Sequence, residues 1–270
     1  MRGATLLLLV ALAGCVVTPG AEYERAVVAA GDAAAPAPML ASFGLDATLA
    51  GAYARQRGVV RRFGGAPVGF KAGLTSPGAQ ARFGAAGPVA GVLLNEPLAV
   101  PRVVTGDFAT LMVELELAFR LRGEVSGPVT ESEVTQLIEC VAPALEFPDL
   151  GYRDMANLTV ADIVASNVAA RMFWVGDGCS SLDGIDALQV RLSRDGATVT
   201  EGTAADAMGG QRRALAWLIN HTLDAGYPLR KGAWLITGAL GAMVPGEPGT
   251  YTADFGHLGS AEVVIVGSGG

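Results

Sequence analysis

The stretch Thr110-Leu-Met-Val-Glu-Leu-Glu-Leu-Ala-Phe-Arg120 decides the fold of this chain and points to its chemistry. Apolar residues alternate there with Glu114, Glu116 and Arg120. A period of two predicts a strand with one buried face. Both carboxylates then lie on the same face, with Cα atoms about 6–7 Å apart, and each opposes the ionisation of the other. A shared proton, a basic partner or a hard divalent cation would relieve such a pair, and a solvated face of an edge strand is the alternative.

The first residues have the pattern of an export signal. An apolar run from Leu6 to Ala13 follows a basic start and is shorter than the roughly 20 residues of a membrane span. The segment Leu12-Ala-Gly-Cys15 resembles a bacterial lipobox, whose cysteine is lipidated, and an ordinary signal peptide is the alternative. We therefore predict a lipoprotein signal peptide over residues 1–15, with lipidation at Cys15. The valine that follows is typical of an outer-membrane lipoprotein facing the periplasm of the bacterial cell envelope.

Composition limits the remaining possibilities. The chain has 270 residues, of which 51% are hydrophobic, and a net charge of −7. It has no cluster of Lys and Arg that would bind phosphates, which excludes a nucleic-acid partner. The Ala/Pro-rich segment 33–38 predicts a flexible tether over 16–41. Residues 42–270 are then long enough for one folded domain.

Local patterns predict a mixture of helices and strands rather than a βαβ repeat. The capping box Thr130-Glu-Ser-Glu133 predicts a helix that continues past Cys140. We expect Cys140 to be a buried free thiol, and a disulfide with Cys179 is the alternative. A second capping signal, Thr159 with Asp162, predicts a helix to about Met172. The other expected helices are 42–63 and 211–223, and the other expected strands are 68–74, 144–147, 187–193, 233–237 and 260–266.

Four motifs in order carry a family resemblance: Gly69-Phe-Lys-Ala-Gly-Leu-Thr75, Val113-Glu-Leu-Glu116, Pro143-Ala-Leu-Glu146 and Thr237-Gly-Ala-Leu-Gly-Ala-Met-Val244. Together they resemble the fumarylacetoacetate hydrolase superfamily. The nearest branch is that of the 2-keto-4-pentenoate hydratases and 2-oxo-3-hexenedioate decarboxylases. The resemblance implies an α+β fold, a mixed β-sandwich roll of the fumarylacetoacetate hydrolase C-terminal type with a small helical N-terminal part. It also implies a homo-oligomer.

The same resemblance assigns roles to individual residues. Glu114, Glu116 and Glu146 would hold one divalent ion, Mg2+ or Mn2+. Lys71 would be the active-site lysine. Glu96, aligned with a family aspartate, would be a second catalytic group that moves a proton. The residues expected to contact the substrate are Leu74, Gly238, Ala239 and Leu240.

The implied activity is that of a divalent-metal-dependent, hydratase-like lyase. It would act on a small 2-oxo acid or its dienol through a metal-stabilised enolate. The chain departs from the family pattern in residues 165–169, at Arg171 and in Gly209-Gly-Gln211. These departures leave open a second hypothesis, a non-catalytic envelope lipoprotein that keeps the fold for binding or assembly.

Overall fold

Strands dominate the architecture. The computed structural model describes residues 17–100 and 102–269. Within them the helices are Pro19–Asp32 (α1), Leu49–Phe63 (α2), Pro77–Phe83 (α3), Val134–Leu137 (α4), Val160–Ala165 (α5) and Gln211–Asp224 (α6). The strands are Gly69–Gly73 (β1), Val89–Leu93 (β2), Arg102–Val104 (β3), Met112–Leu121 (β4), Ile138–Phe147 (β5), Met172–Val175 (β6), Gln189–Arg194 (β7), Ala197–Thr203 (β8), Trp234–Ile236 (β9), Val244–Pro245 (β10), Gly249–Asp254 (β11) and Ser260–Val266 (β12).

The strands form two mixed sheets. The larger has the order β2-β1-β9-β4-β5-β6, with β10 also paired to β4. The smaller has the order β3-β12-β11-β7-β8. In these sheets β1 with β9 and β12 with β3 are parallel pairs, and the other pairs are antiparallel. This arrangement confirms the predicted α+β fold.

The alternation in β4 directs its two faces to different environments. Leu115, Leu117 and Phe119 are fully buried in a core that they share with residues of the second sheet, such as Leu192 and Val263. The opposite face of the strand carries the glutamates. The predicted strand is therefore confirmed, and one of its faces is held in place by the main hydrophobic core.

A helical layer made of α1, α2 and α5 packs beside the larger sheet. Thr18 caps α1, since its side chain accepts a hydrogen bond from the N–H of Ala21. Tyr23 of α1 is fully buried, and Glu24 pairs with Arg55 of α2 at 2.7 Å. The prediction of a flexible tether over 16–41 is thus wrong from Thr18 onward, because α1 has an apolar stripe that needs a partner. In the part of the chain that the structure describes, no helix has the length and apolar character needed to cross a bilayer.

The burial of Tyr23 gives a test of this correction. We expect Tyr23→Ala to lower the free energy of unfolding by about 3–5 kcal/mol, because it opens a cavity between α1 and its neighbours. The hydroxyl of Tyr23 is buried without a hydrogen-bond partner, so Tyr23→Phe should be neutral or stabilising. Urea denaturation of both variants measures the difference. Equal stability of the Ala variant and the wild type would restore the tether hypothesis.

Three predicted elements have different bounds in the structure. The helix expected over 42–63 starts only at Leu49, after a short 3-10 turn at Leu40–Phe43. The helix expected after Glu133 is the single turn α4, and β5 begins at Ile138 because β4 pairs with it from that residue onward. The capping box of Thr159 and Asp162 is confirmed, although α5 ends at Ala165.

Cys140 is a buried free thiol, as predicted, but it lies on a strand. The adjacent Val141 forms a bridge with Ser180, and two backbone hydrogen bonds of 3.0 Å join them. This bridge brings the thiol of Cys179 beside that of Cys140. Burial, followed by this second thiol, raises the pKa of Cys140 to about 12. The thiol of Cys140 is therefore protonated at neutral pH.

Candidate metal and substrate site

Three glutamates from two neighbouring strands meet on one face of the larger sheet. Glu114 of β4 lies directly opposite Glu146 of β5, and Glu116 lies opposite Ala144. Side-chain oxygens of the three glutamates lie within 4.8 Å of one another. Glu116 and Glu146 are buried, whereas Glu114 is half-buried. The pairing of β4 with β5 thus assembles the set that the family resemblance implied.

The hydrogen bonds of this cluster leave room for a cation. Glu116 accepts a hydrogen bond from the N–H of Gly238 at 2.6 Å through Oε2, but its Oε1 is buried and has no partner among the residues that the structure describes. Oε2 of Glu146 is also buried without a partner. Buried polar atoms nearly always have a partner, and carboxylate oxygens are preferred ligands of Mg2+ and Mn2+. The donor set therefore fits a hard divalent ion.

Lys71 supplies the positive charge next to the cluster. Its Nζ donates to Oε1 of Glu146 and, at 3.2 Å, to the carbonyl of Val168. Burial alone lowers the pKa of this lysine, but the three carboxylates act in the opposite direction and leave it above the ordinary value. Lys71 is therefore an ammonium group at neutral pH.

The carboxylates resist ionisation when no cation is bound. Burial, followed by the charge of Glu146, raises the pKa of Glu114 to about 7. The same causes, with Glu114 in addition, raise the pKa of Glu116 well above its usual value. Burial also raises the pKa of Glu146, although Lys71 opposes this effect. The charge of a single lysine does not compensate that of three carboxylates.

These shifts predict how the metal-free protein depends on pH. The folded state retains the proton of Glu114 between its unfolded pKa of 4.5 and its folded pKa of about 7, whereas the unfolded state releases it. The contribution of Glu114 to stability is therefore present below pH 4.5 and is lost as the pH rises to about 7. We expect the stability of wild type relative to Glu114→Gln to fall by a few kcal/mol across this window in EDTA. Denaturation of both proteins at pH 5, 6, 7 and 8 measures this change. A wild type that becomes more stable relative to Glu114→Gln as the pH rises would contradict the prediction.

A left-handed turn after α5 completes the surroundings of Lys71. Asn167, Val168 and Ala169 have φ of 72°, 55° and 55°, which is unusual for a β-branched residue such as Val168. The side chain of Asn167 is bound to the backbone N–H and carbonyl of Val92, both at 2.8 Å. A Cβ at Gly73 would lie 2.7 Å from Val168, so a glycine is needed there. The turn aims the carbonyl of Val168 at Lys71, and the sequence patterns did not predict it.

The cluster opens into a cavity of about 1020 Å3. The predicted site residues that line it are Lys71, Leu74, Glu114, Glu116 and Ala239. Segments 205–209 and 241–243 also line it, but sequence reasoning did not assign them a role. Gly241, three residues after Gly238, is the signal that could have extended the substrate loop to Met243.

Gly238 lies under the cavity rather than on its wall. It has a φ of 107°, and a Cβ at this position would be 2.3 Å from Oγ1 of Thr75. Only glycine therefore fits here, and its N–H is held by Glu116. The residue orients a carboxylate of the cluster, which differs from the substrate contact that the resemblance implied.

The structure separates two predicted residues from the site. Leu240 is 1% exposed, and its side chain belongs to the hydrophobic core. Its N–H donates a hydrogen bond to the carbonyl of Leu115, which fixes the loop against β4. Glu96 is exposed in the loop after β2 and is not among the residues that line the cavity. The structure thus gives Leu240 a place in the hydrophobic core, and it does not place Glu96 on the wall of the cavity. Cys15, the predicted lipidation site, lies outside the described residues.

Comparisons with known proteins identify the family. No family model matches the chain. A 2-keto-4-pentenoate hydratase from Burkholderia vietnamiensis (strain G4 / LMG 22486) is 32% identical over 234 residues, which cover 82% of this chain and 87% of that protein. The structure of 4-oxalocrotonate decarboxylase from Pseudomonas putida G7, complexed with magnesium and adipate, aligns with a TM-score of 0.84 and 25% identity over 92% of this chain and 97% of that one. A putative fumarylacetoacetate hydrolase family protein from Yersinia pestis CO92 shares the fold, with a TM-score of 0.54 and 13% identity over 73% of this chain and 92% of that one. The chain therefore belongs to the fumarylacetoacetate hydrolase superfamily, in the branch that contains the 2-keto-4-pentenoate hydratases and 4-oxalocrotonate decarboxylases.

Proposed function

We propose that this protein is a divalent-metal-dependent lyase that hydrates a small 2-oxo acid or its dienol. One observation carries the proposal: two buried carboxylate oxygens, on Glu116 and Glu146, have no partner and lie with Glu114 beside a large cavity. A cluster kept only for structure would have its oxygens satisfied. The names of the relatives support the same class of reaction.

Glu114, Glu116 and Glu146 would hold the ion, which is Mg2+ or Mn2+ by the chemistry of its oxygen ligands. When bound, such an ion supplies Lewis-acid stabilisation of the negative charge that develops on the oxygens of a 2-oxo acid. The magnesium in the related decarboxylase structure supports this assignment.

The residues of the chain supply orientation and proton transfer. The ammonium of Lys71 faces the cavity and attracts an anionic substrate, and its Nζ is a proton donor next to the reacting atoms. Glu114 is the half-buried member of the cluster and lines the cavity, so it would meet both the ion and the substrate. Gly238 keeps Glu116 in position through its N–H.

The test uses the chain from residue 17 onward, which keeps the cap of α1. Calorimetric titration with Mg2+, followed by oxalate as an enolate mimic, should show oxalate binding that depends on the metal. Glu139→Gln is a control that should bind Mg2+ and oxalate as the wild type does, because Glu139 is an exposed glutamate on the same strand as Glu146. Absence of metal binding in the wild type would favour the non-catalytic alternative.

A second assay distinguishes hydration from decarboxylation. The enzyme with Mg2+ is mixed with 2-hydroxypenta-2,4-dienoate, and loss of the dienol absorbance with formation of a 4-hydroxy-2-oxo acid is the expected result. Release of CO2 from 2-oxo-3-hexenedioate without hydration of the dienol would show a decarboxylase instead.

We infer that the protein acts at the cell envelope, on the basis of residues 1–15 alone. If Cys15 carries the lipid, only Val16 and Val17 separate it from Thr18, the cap of α1. The folded body would then lie directly on the membrane surface rather than at the end of a long tether. Metabolic lipid labelling of the wild type and of Cys15→Ser tests this, and equal labelling would refute it.

A further inference from the structure

We propose that the cavity accepts a 2-oxo acid that carries an unbranched apolar tail of several carbons, rather than a second carboxylate. The proposal rests on the proposed function, since the metal centre would hold the 2-oxo acid end. It adds the substrate class, which the family resemblance leaves open between apolar and dicarboxylic acids.

The cavity is large for a small 2-oxo acid. A volume of about 1020 Å3 is at the upper limit of pockets that enclose drug-sized ligands. A five-carbon acid such as 2-keto-4-pentenoate would leave most of this space to water. The cavity therefore has room for a substituent that extends well beyond the reacting carbons.

The character of the wall is the second argument. Six large apolar side chains from separate segments of the chain line it, namely Leu74, Phe83 of α3, Leu150, Ile163 of α5, Met208 and Met243. Burial of each methylene against such a wall contributes about 0.8 kcal/mol, roughly a fourfold gain in affinity. The two methionines can adapt to tails of different shape, because their side chains are flexible and polarizable.

The charged residues on the wall argue against a second carboxylate. Arg213 is already paired with Glu131 at 3.2 Å, and its side chain is 60% exposed at the mouth of the cavity. Arg82 stacks over the ring of Phe83 at 5.2 Å and is also exposed. Asp206 lines the same wall and would repel an anion. Among the described residues that line the cavity, no arginine is both buried and unpaired, so an acidic tail would find no such partner there.

The experiment compares ligands of increasing length. In saturating Mg2+, calorimetry measures the affinity of pyruvate, 2-oxopentanoate, 2-oxohexanoate, 2-oxooctanoate and the dicarboxylate 2-oxoadipate. We expect affinity to rise about threefold to fourfold per methylene along the linear series, and 2-oxoadipate to bind at least tenfold more weakly than 2-oxohexanoate. A flat series, or tighter binding of 2-oxoadipate, would overturn the proposal.

A variant locates the effect in the cavity. Ala242 is exposed to the cavity. Ala242→Leu should therefore reduce the gain in affinity from pyruvate to 2-oxooctanoate by at least tenfold and leave oxalate binding unchanged. Ala86→Leu, at an exposed alanine outside the cavity, is the matched control. An equal loss of affinity for 2-oxooctanoate in both variants would overturn the proposal. Failure of oxalate to bind the wild type would instead refute the proposed function, so the two failures are distinguishable.

Discussion

Replacing Glu116 with glutamine should abolish function while making the metal-free protein more stable. Glu116 is 1% exposed and lies with two other carboxylates, so its ionisation is opposed by burial and by their charge. Glutamine has the same shape without the charge, and its side-chain carbonyl can still accept the N–H of Gly238. We expect at least a 100-fold loss of Mg2+ affinity, about a 10³-fold loss of activity, and a melting temperature a few degrees higher in EDTA at pH 8.

The measurement is thermal unfolding with and without Mg2+, together with the dienol assay. The wild type should gain about 2.7 kcal/mol of stability at 100 times its dissociation constant for the metal, and the variant should gain nothing at that concentration. Glu139→Gln serves again as the control and should behave as the wild type. A Glu116→Gln protein that is less stable than the wild type in EDTA at pH 8 would show that the carboxylates do not repel one another.

Replacing Lys71 with methionine should have the opposite effect on stability and the same effect on activity. The ammonium is 3% exposed and pairs with the fully buried Glu146. Removal of one partner from a buried ion pair costs about 3–5 kcal/mol, because the other charge is left uncompensated. In this protein the loss would be larger at high pH, where more of the carboxylates ionise. Activity should fall by at least 10²-fold, because the proton donor is lost.

Addition of Mg2+ separates these two effects. The cation replaces the missing positive charge, so most of the stability of Lys71→Met should return, while activity should not. Lys231, the other lysine of the chain, is exposed, and Lys231→Met provides the control. Activity of Lys71→Met equal to that of the wild type in Mg2+ would show that Lys71 only balances charge. A normal free energy of unfolding in EDTA would show that the pair with Glu146 contributes little.

Elements with a strong local pattern were predictable from the sequence. The alternation in β4 gave both the buried face and the two carboxylates, since a strand has only two faces. The capping box of Thr159 and Asp162 gave the start of α5 because its hydrogen bonds are local. Both features depend on residues within a few positions of each other, and no tertiary contact is needed to interpret them.

Features that depend on distant contacts were not predictable. The apolar positions Val134, Leu137, Ile138 and Val141 fit a helix. Ile138 and Val141 nevertheless lie on a strand, because β4 supplies their backbone partners. Segment 33–38 suggested a tether, although the preceding helix is buried against α2. Glu146 joined the site only through the family resemblance, since its register opposite Glu114 is a property of the folded sheet.

The division between floor and wall bears on how this protein can change over evolutionary time. The carboxylates stand on central strands whose opposite faces are buried in the core, so substitutions of the core residues behind them would endanger both folding and chemistry. The walls come from α3, α5 and the loops at 205–209 and 239–243, which lie outside those strands. A lineage can therefore explore new substrates by substitutions in the walls without losing a stable fold. The same division makes the walls the natural place for random mutagenesis, with the glutamates and Lys71 held constant.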